Sequence, residues 1–214
     1  MSGTGISREQ VIWLNGAFGV GKTTVARALA AELSGALILD PEDIGRLLRK
    51  VVPAALRTSD FQDIPSWRCL TVATIESLLR DHPGTLVVPM TVVDPVYFDE
   101  TVGRLRRDGV TVHHITLTAS PTTIRRRLLW RLSAPWATRW ALRRVQHCAA
   151  ALQSPLFATH VDTGNRSVPD IATAILGDVL ASDACAFHGF RPLPKRGKPV
   201  TNELIDRLRE DGHV

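Results

Sequence analysis

The fold is decided by residues 11–30, which read VIWLNGAFGVGKTTVARALA. The mostly apolar segment 11–15 is typical of a buried strand, whereas the alanine-rich segment 22–33 predicts a helix. Between them, Gly16 to Thr23 match the spacing G-x-x-x-x-G-K-T, which in this context indicates a loop that binds nucleotide phosphates. Glycine is needed because backbone N–H groups can wrap a phosphate only at φ and ψ values that residues with a Cβ resist.

Each part of this phosphate-binding loop has a predicted role. We expect the Lys22 ammonium to reach the β- and γ-phosphates, and the Thr23 hydroxyl to ligate Mg²⁺. The start of the following helix adds partial positive charge. The motif specifies ATP or GTP with Mg²⁺ but leaves the reaction open. The loop residues predicted to bind nucleotide are Gly16, Ala17, Phe18, Gly19, Val20, Gly21, Lys22, Thr23 and Thr24.

The bulk composition indicates one globular domain with a small appendage. The chain has 214 residues, of which 44% are hydrophobic and 22% charged, enough for one sizeable core. No apolar run is long enough to span a membrane, and residues 1–10 do not resemble a signal peptide. The three cysteines are far apart and odd in number, which fits neither a disulfide framework nor a metal cluster. We therefore expect a cytoplasmic protein.

The net charge of +5 is concentrated in two places. Seven arginines lie between Arg125 and Arg144, and residues 191–198 read RPLPKRGK. Localised charge favours a local anionic ligand over a general polyanion-binding surface. Since no aromatic–basic motif for single-stranded nucleic acid is evident either, we expect a small-molecule substrate and no nucleic-acid partner.

Strand-like and helix-like segments alternate along the chain, which predicts βαβ units and a parallel sheet. We place the domain boundary at 181/182, with a basic loop and a short helix in 182–214. The predicted strands are 11–15, 36–40, 85–88, 111–117 and 159–161, and the predicted helices are 22–33, 41–52, 65–80, 94–107, 122–132, 137–152, 167–181 and 201–210.

Residues that follow the strands are candidate site residues, because ligands of parallel α/β sheets bind at the carboxyl ends of the strands. Asp40 follows the second strand, where its carboxylate could accept a proton from a substrate hydroxyl or help to place Mg²⁺; a helix N-cap is the alternative, and one residue can do both. Asp162, Thr163 and Gly164 follow the last strand and are predicted to flank the adenine base, with an ordinary turn as the alternative.

The third strand ends differently from many phosphate-loop proteins. Its end reads TLVVPMTVVD, so Pro89-Met90-Thr91 stand where a magnesium-binding Asp often lies, and Asp94 is expected to cap a helix. This ending argues against a motor-type ATPase or a GTPase switch.

The arginine-rich helices form a predicted lid over about 122–152. Arg127 and Arg131 are four residues apart and share one helix face, and Arg139 repeats the pattern with Arg143 after the break SAPW. Fixed guanidinium groups can stabilise charge on a transferred phosphoryl group, and a lid excludes water. We expect at least one of Arg127, Arg131 and Arg139 to act in this way, while the others form a solvated basic face.

On these residues the chain resembles the tunicamycin-resistance ATP-binding proteins, a family of bacterial P-loop proteins related in fold to small-molecule and nucleoside kinases. The resemblance covers about 11–175 and includes the PMT strand ending. It rests on IWLNGAFGVGKT, LDPEDIGRLLR, DFQDIPSWR, LVVPMTVVDPVYFDETVGRLR with VHHITLTAS, and SPLF followed by DTGN.

The resemblance implies a P-loop NTPase fold with a five-stranded parallel sheet in the order 2-3-1-4-5. It implies ATP binding through Gly16 to Thr24, and a substrate pocket near Asp40, Arg68 and the Pro89-Met90-Thr91 turn. Tunicamycin is a nucleoside antibiotic with an acyl tail, for which Phe61, Trp67, Trp136 and Trp140 are candidate aromatic surfaces. A family association with membranes is unsupported, because acidic residues interrupt the apolar stripe of 201–210.

Two functions follow as hypotheses. In the first, the protein is an ATP-dependent kinase in which Lys22 and Thr23 position the triphosphate, Asp40 orients or deprotonates the acceptor, and Arg131, with Arg127 or Arg139, stabilises the transferred charge. In the second, it sequesters the drug, and ATP is a structural or gating ligand. A housekeeping nucleoside or nucleotide kinase is chemically close to the first hypothesis. The sequence leaves the acceptor and the oligomeric state open.

Overall fold

The computed structural model describes residues 9–131 and 145–186. The predicted lid segment between these ranges, with Trp136, Arg139 and Trp140, lies outside the described residues, as does the predicted helix 201–210. The described residues up to Asp183 form one compact unit. The proposed boundary at 181/182 stays a prediction.

A five-stranded parallel sheet forms the centre of the fold. The strands are β1 (Gln10–Gly16), β2 (Leu37–Ile38), β3 (Thr85–Pro89), β4 (Thr111–Thr118) and β5 (His160–Asp162). Their order is β2-β3-β1-β4-β5, and every pairing is parallel. The predicted fold class and strand order are therefore confirmed.

Helices connect the strands. They are α1 (Lys22–Glu32), α2 (Pro41–Val51), α3 (Pro65–Asp81), α4 (Pro95–Phe98), α5 (Arg104–Arg107), α6 (Pro121–Arg131), α7 (145–151) and α8 (Val168–Ala186). Single 3₁₀ turns occur at Ala54–Leu56, Phe61–Asp63 and Pro155–Phe157, and a π turn at Asp99–Gly103 joins α4 to α5. The helix predicted over 94–107 is thus present but interrupted by a π turn.

Strand β1 is buried along its whole length and divides the core into two. Val11 and Trp13 pack on one face of the sheet with α3 and the α4–α5 segment. Ile12 and Leu14 pack on the other face with α1 and α8. Because successive side chains of a strand point to opposite faces, an unbroken apolar run is what a central strand covered on both faces requires. The phosphate-binding loop therefore begins at the end of a fully buried central strand.

The second strand is shorter than predicted. Only Leu37 and Ile38 pair with β3, and both are partly exposed at the edge of the sheet. The predicted strand 36–40 ends early because Asp40 caps α2: its Oδ1 accepts the Glu42 N–H at 3.0 Å, and Pro41 occupies the first helical position.

Within the described residues, no helix combines the length and the hydrophobicity that crossing a bilayer requires.

Candidate active site

The phosphate-binding loop joins the end of β1 to the start of α1 and depends on glycine at both of its ends. Gly16 has a φ of 139°, and a Cβ there would lie 2.7 Å from the Leu117 carbonyl oxygen. Gly21 has a φ of 112°, but a Cβ there would meet nothing within 4 Å. Gly16 is therefore required by both space and backbone angle, and Gly21 by backbone angle alone.

The first turn of α1 suits an anion. Gly21 caps the helix without a side-chain acceptor, and the first turn contains no acidic residue. The orphan N–H groups and the positive end of the helix dipole are thus not neutralised by a side chain of the helix itself. The Lys22 ammonium donates to the carbonyl oxygens of Gly16 at 2.8 Å and Ala17 at 3.2 Å, which holds it beside the loop. These features fit a nucleotide phosphate.

A cleft of about 560 Å³ opens on one side of this loop. Arg127 of α6 forms one wall: its Nη1 donates to the Val20 carbonyl at 2.8 Å and to Thr163 Oγ1 at 3.0 Å, and its Nη2 donates to the Thr163 carbonyl at 2.7 Å. Thr163 is buried, and Asp162 Oδ1 accepts the Gly164 N–H in a tight turn. The cleft is lined by Gly19, Val20, Gly21, Thr24, Val25, Arg126, Arg127, Thr163, Arg166, Val168 and Ile171.

This arrangement assigns positions to several predicted nucleotide residues. Thr24 and Thr163 line the cleft, and Asp162 shapes the turn beside it. We call it the base cleft after the adenine base that is predicted from the sequence to lie beside residues 162–164. Arg127 is bonded to the base side of the loop, so its predicted role on the transferred phosphoryl group stays a prediction. The side chain of Arg131 lies outside the described part of the chain.

A second cavity, of about 450 Å³, lies beside Phe18 of the phosphate-binding loop; we call it the acceptor cavity. It has carboxylates on its wall, and Tyr97 Oη donates to Asp63 Oδ1 at 3.1 Å. Burial, followed by this hydrogen bond, raises the pKa of Tyr97. The cavity is lined by Phe18, Asp60, Gln62, Asp63, Thr91, Val93, Asp94, Pro95, Tyr97, His147, Cys148 and Ala151.

Thr91 connects the acceptor cavity to the phosphate-binding loop. Its Oγ1 donates to the Gly16 carbonyl at 2.7 Å, and its own carbonyl accepts from Gln62 Nε2 at 3.1 Å. Of the predicted substrate residues, Thr91 is therefore the one placed on the cavity wall and next to the loop. Asp94 caps α4 as predicted, through hydrogen bonds from the N–H groups of Val96 and Tyr97.

Two predicted substrate residues belong to the core, and their contact with substrate stays a prediction. Trp67 is fully buried, and its Nε1 donates to the Pro41 carbonyl at 2.9 Å. Met90 is 3% exposed and packs in the same cluster. The resemblance suggests Met90, and the resemblance together with aromatic character suggests Trp67. Both pack in the core cluster on one face of the sheet, and the Trp67 hydrogen bond joins α3 to α2.

The remaining predicted substrate residues are not among the described lining of the acceptor cavity. Arg68 forms an ion pair with Glu100 and donates to the Gln62 carbonyl, and its guanidinium carbon lies 4.3 Å from the Tyr97 ring centre. It thereby supports the cavity wall from within. Phe61 packs on Trp67 at 5.3 Å between ring centres. Asp40 is the α2 cap and lies outside the lining of the two cavities described.

Sequence reasoning missed two buried polar residues of the site. Asn15 is the penultimate residue of β1, and His114 lies beside it on β4. A lone polar residue at the end of an apolar strand was the available signal for Asn15. For His114, the register between β1 and β4 was needed.

Among the described residues, no group of three or more His, Cys, Asp or Glu side chains is placed to hold a metal ion. Thr23, the residue predicted to ligate Mg²⁺, is exposed at the loop, and this role stays a prediction.

The fold and the loop together define a nucleotide-binding P-loop protein of kinase-like architecture. The chain belongs to the AAA domain family AAA_33, whose model matches residues 11–155. Its fold is similar to that of a tunicamycin resistance protein from Deinococcus radiodurans, with a TM-score of 0.67 and 28% identity over 79% of this chain and 95% of that chain. The family resemblance expected from the sequence is thus confirmed.

Two further similarities are weaker in structure or shorter in length. A gluconokinase from Sinorhizobium meliloti 1021 shares the fold, with a TM-score of 0.60 and 17% identity over 86% of this chain and 99% of that chain. A stretch of 34 residues is 64% identical to a Mycobacterium tuberculosis protein that bears the name antitoxin VapB44, covering 16% of this chain and 42% of that protein. The chain therefore spans less than half the length of the curated relatives it matches.

Proposed function

We propose that the protein binds ATP with Mg²⁺ and transfers a phosphoryl group to a hydroxyl of a small molecule, and that tunicamycin-like nucleoside antibiotics are its acceptors. The observation that carries the proposal is the position of the phosphate-binding loop between two cavities. The base cleft begins at Gly19–Gly21, and the acceptor cavity begins at Phe18 and Thr91. A donor and an acceptor held on opposite sides of one loop is the arrangement that phosphoryl transfer needs.

The chain's own groups have distinct tasks in this proposal. ATP with Mg²⁺ supplies the phosphoryl group and neutralises part of its charge. The loop amides and Lys22 hold the phosphates, and Thr23 offers its hydroxyl to the metal ion. Asp40 follows β2 outside the lining of the acceptor cavity, so in this proposal the acceptor hydroxyl extends beyond that lining to reach its carboxylate. Asp40 then orients the hydroxyl and takes its proton while the acceptor oxygen bonds to phosphorus and the bond from phosphorus to ADP breaks. The protonated Asp40 then gives this proton to water, which restores the carboxylate.

The charge of the acceptor cavity indicates which acceptors suit it. Asp60, Asp63 and Asp94 lie on its wall, and no lysine or arginine is among its described lining residues. A phosphate or sulfate on the acceptor would be repelled by these carboxylates, whereas hydroxyl groups can donate to them. The cavity therefore favours an uncharged alcohol over a nucleotide acceptor, and it argues against the housekeeping nucleotide kinase.

Sequestration without turnover is the second candidate. It is favoured by one observation: β3 ends in Pro89 with no carboxylate at that position, and Asp40 is already engaged as a helix cap. In that case the acceptor cavity would bind the drug, and ATP would only order the site.

A mass measurement separates the two candidates. Purified full-length protein with ATP, Mg²⁺ and tunicamycin should raise the mass of the drug by one phosphoryl group. Lys22→Ala should abolish this product, and Asp40→Asn should reduce it strongly while nucleotide binding persists. Asn also caps helices well, so Asp40→Asn tests the chemistry and spares the fold. Asp43→Asn, on the exposed face of the same helix, is the matched control and should stay active.

The contrary outcomes are distinct. Drug binding with unchanged mass, and protection of cells that survives Asp40→Asn, would support sequestration. A product formed from a nucleoside monophosphate but not from tunicamycin would overturn the assignment of an uncharged acceptor.

A further inference from the structure

One buried side chain ties the phosphate-binding loop to the loop that borders the acceptor cavity. Asn15 is fully buried, and its Oδ1 accepts the N–H of Gly16 at 2.8 Å and the N–H of Val92 at 3.0 Å. Its Nδ2 donates to the Val92 carbonyl at 2.8 Å, 77 positions along the chain. The carboxamide of Asn15 therefore satisfies both backbone groups of Val92 and the first amide of the phosphate-binding loop.

Thr91 adds a second tie between the same two loops. Its hydroxyl donates to the Gly16 carbonyl, so the N–H and the C=O of Gly16 are both bonded to side chains that also hold or belong to 91–92. Thr91 and Val93 line the acceptor cavity, and Phe18 lines it from the side of the phosphate-binding loop. A displacement of Gly16 must therefore either move 91–93 or break buried hydrogen bonds, which is costly.

His114 fixes the orientation of the Asn15 amide. Its Nδ1 lies 3.2 Å from the Ala158 carbonyl oxygen, which can only accept, so Nδ1 carries the proton. Its Nε2 is then an acceptor, and it lies 3.3 Å from Asn15 Nδ2. This arrangement points the amide nitrogen of Asn15 toward His114 and leaves its oxygen for Gly16 and Val92. A flipped amide would present NH₂ to two N–H donors.

The neutral form of His114 is maintained by its surroundings. Burial lowers its pKa to about 4; the hydrogen bond to the Ala158 carbonyl acts against burial, and the charge of Arg106 acts with it. The rings of Phe98 and Phe157 pack around it at 4.7 and 6.2 Å between centres. A protonated imidazole would present Nε2–H to the Asn15 NH₂ group, so the neutral ring is the form that this network needs.

We propose that Asn15 and Thr91 are positioning residues that couple nucleotide binding to the order of the acceptor loop 89–95, with His114 holding the Asn15 amide in the required orientation. The proposal rests on the proposed function in one respect, that nucleotide phosphates occupy the Gly16–Thr23 loop. Phosphates bound to the loop amides fix Gly16, and the shared hydrogen bonds pass that order to 91–93. The nucleotide thereby prepares the acceptor cavity before the acceptor binds.

Hydrogen–deuterium exchange of the full chain, with and without Mg²⁺ and the ATP analogue AMPPNP, tests the coupling without any acceptor. In the parent protein, AMPPNP should slow exchange in the phosphate-binding loop and also in 89–95, the latter by roughly fivefold or more. Thr91→Val should keep the protection of the phosphate-binding loop and lose most of that in 89–95. Thr91→Ser, which retains a hydroxyl, should restore it.

A matched control separates coupling from stability. Thr71→Val also removes one buried hydroxyl that donates to a backbone carbonyl, but Thr71 lies within α3 and its bond does not join the loops. It should cost similar stability and leave the protection of 89–95 intact. His114→Leu is an independent variant, expected to act like Thr91→Val even if the latter folds poorly.

The outcomes distinguish a failure of the coupling from a failure of nucleotide binding. If AMPPNP protects the phosphate-binding loop while 89–95 is unaffected in the parent, or equally protected in Thr91→Val and His114→Leu, the coupling is wrong and the proposed function stands. If AMPPNP protects neither segment in the parent, nucleotide binding itself fails, and the coupling fails with it.

Discussion

Arg127 and Thr163 are joined by two hydrogen bonds, one from Nη1 to the threonine hydroxyl at 3.0 Å and one from Nη2 to its carbonyl at 2.7 Å. Since Nη1 also donates to the Val20 carbonyl, one guanidinium holds α6, the turn after β5 and the phosphate-binding loop together. The wall of the base cleft thus depends on a residue that lies more than 100 positions from the loop.

Arg127→Ala should weaken nucleotide binding through the loss of this wall. Hydrogen bonds to charged groups contribute about 1.5–3 kcal/mol, so we expect the Kd for Mg²⁺–AMPPNP to rise roughly 10- to 100-fold in calorimetric titration. Arg125→Ala removes an exposed guanidinium two residues earlier on the same helix and should leave the Kd within about twofold, as surface changes usually do. Equal effects of the two variants would show that only the general positive charge of α6 matters.

Gly16→Ala and Gly21→Ala should differ in stability although both impair nucleotide binding. At Gly21 the cost is the backbone angle, about 1–2 kcal/mol, because no atom obstructs a methyl group. At Gly16 the same strain is joined by contacts of 2.7 Å with the Leu117 carbonyl and 2.9 Å with Val20. Urea unfolding should therefore give a larger loss for Gly16→Ala. The reverse order would mean that the loop relaxes around Gly16 and is not fixed by β4.

His114 should make the protein less stable in mild acid. The unfolded chain binds a proton on this residue near pH 6.5, whereas the folded protein binds it near 4, so between these values the unfolded state holds more protons. This stability is fully present above pH 6.5 and is lost as the pH falls toward 4. The loss attributable to His114 between pH 7 and pH 5 is about 2 kcal/mol.

His114→Phe should show a smaller loss of unfolding free energy over that interval, measured by urea titration at pH 7, 6 and 5, even if it is less stable at pH 7. His82→Gln, at an exposed histidine, should keep the slope of the parent. A slope unchanged in His114→Phe would mean that another group carries the acid sensitivity.

Trp67→Phe should cost stability and spare nucleotide binding. The change removes the hydrogen bond from the indole N–H to the buried Pro41 and leaves its carbonyl without that donor, which costs about 1–3 kcal/mol. Urea unfolding and calorimetric titration with Mg²⁺–AMPPNP check the two expectations. If the unfolding free energy is unchanged and tunicamycin binding is weakened, Trp67 contacts the acceptor and is not mainly a core residue.

Part of the site was readable from the sequence because it is local. The phosphate-binding loop depends on residues within eight positions of one another, and the strand before it and the helix after it are fixed by their own hydrophobic patterns. The caps formed by Asp40 and Asp94 are equally local, since each carboxylate bonds to amides two or three residues ahead. Short-range hydrogen bonds and periodicity need no knowledge of distant parts of the chain.

The rest depends on which distant segments meet. Trp67 is a large aromatic residue of the kind that often contacts ligands, but the packing of α3 on the sheet buries it. Arg127 has the spacing of a lid residue, but its hydrogen bonds are with Val20 and Thr163. Neither assignment can be read from neighbours in the sequence.

The sequence by itself determined that this chain carries a phosphate-binding loop at the centre of a parallel α/β sheet, because that information lies in one continuous stretch. Only the tertiary structure decided that Asn15 and Thr91 bond to Gly16, with His114 beside Asn15, and so join the loop to the acceptor cavity. Their contacts arise from the register of three parallel strands. A parallel sheet brings together residues separated by one or more whole crossover connections, so no local pattern records which of them become neighbours.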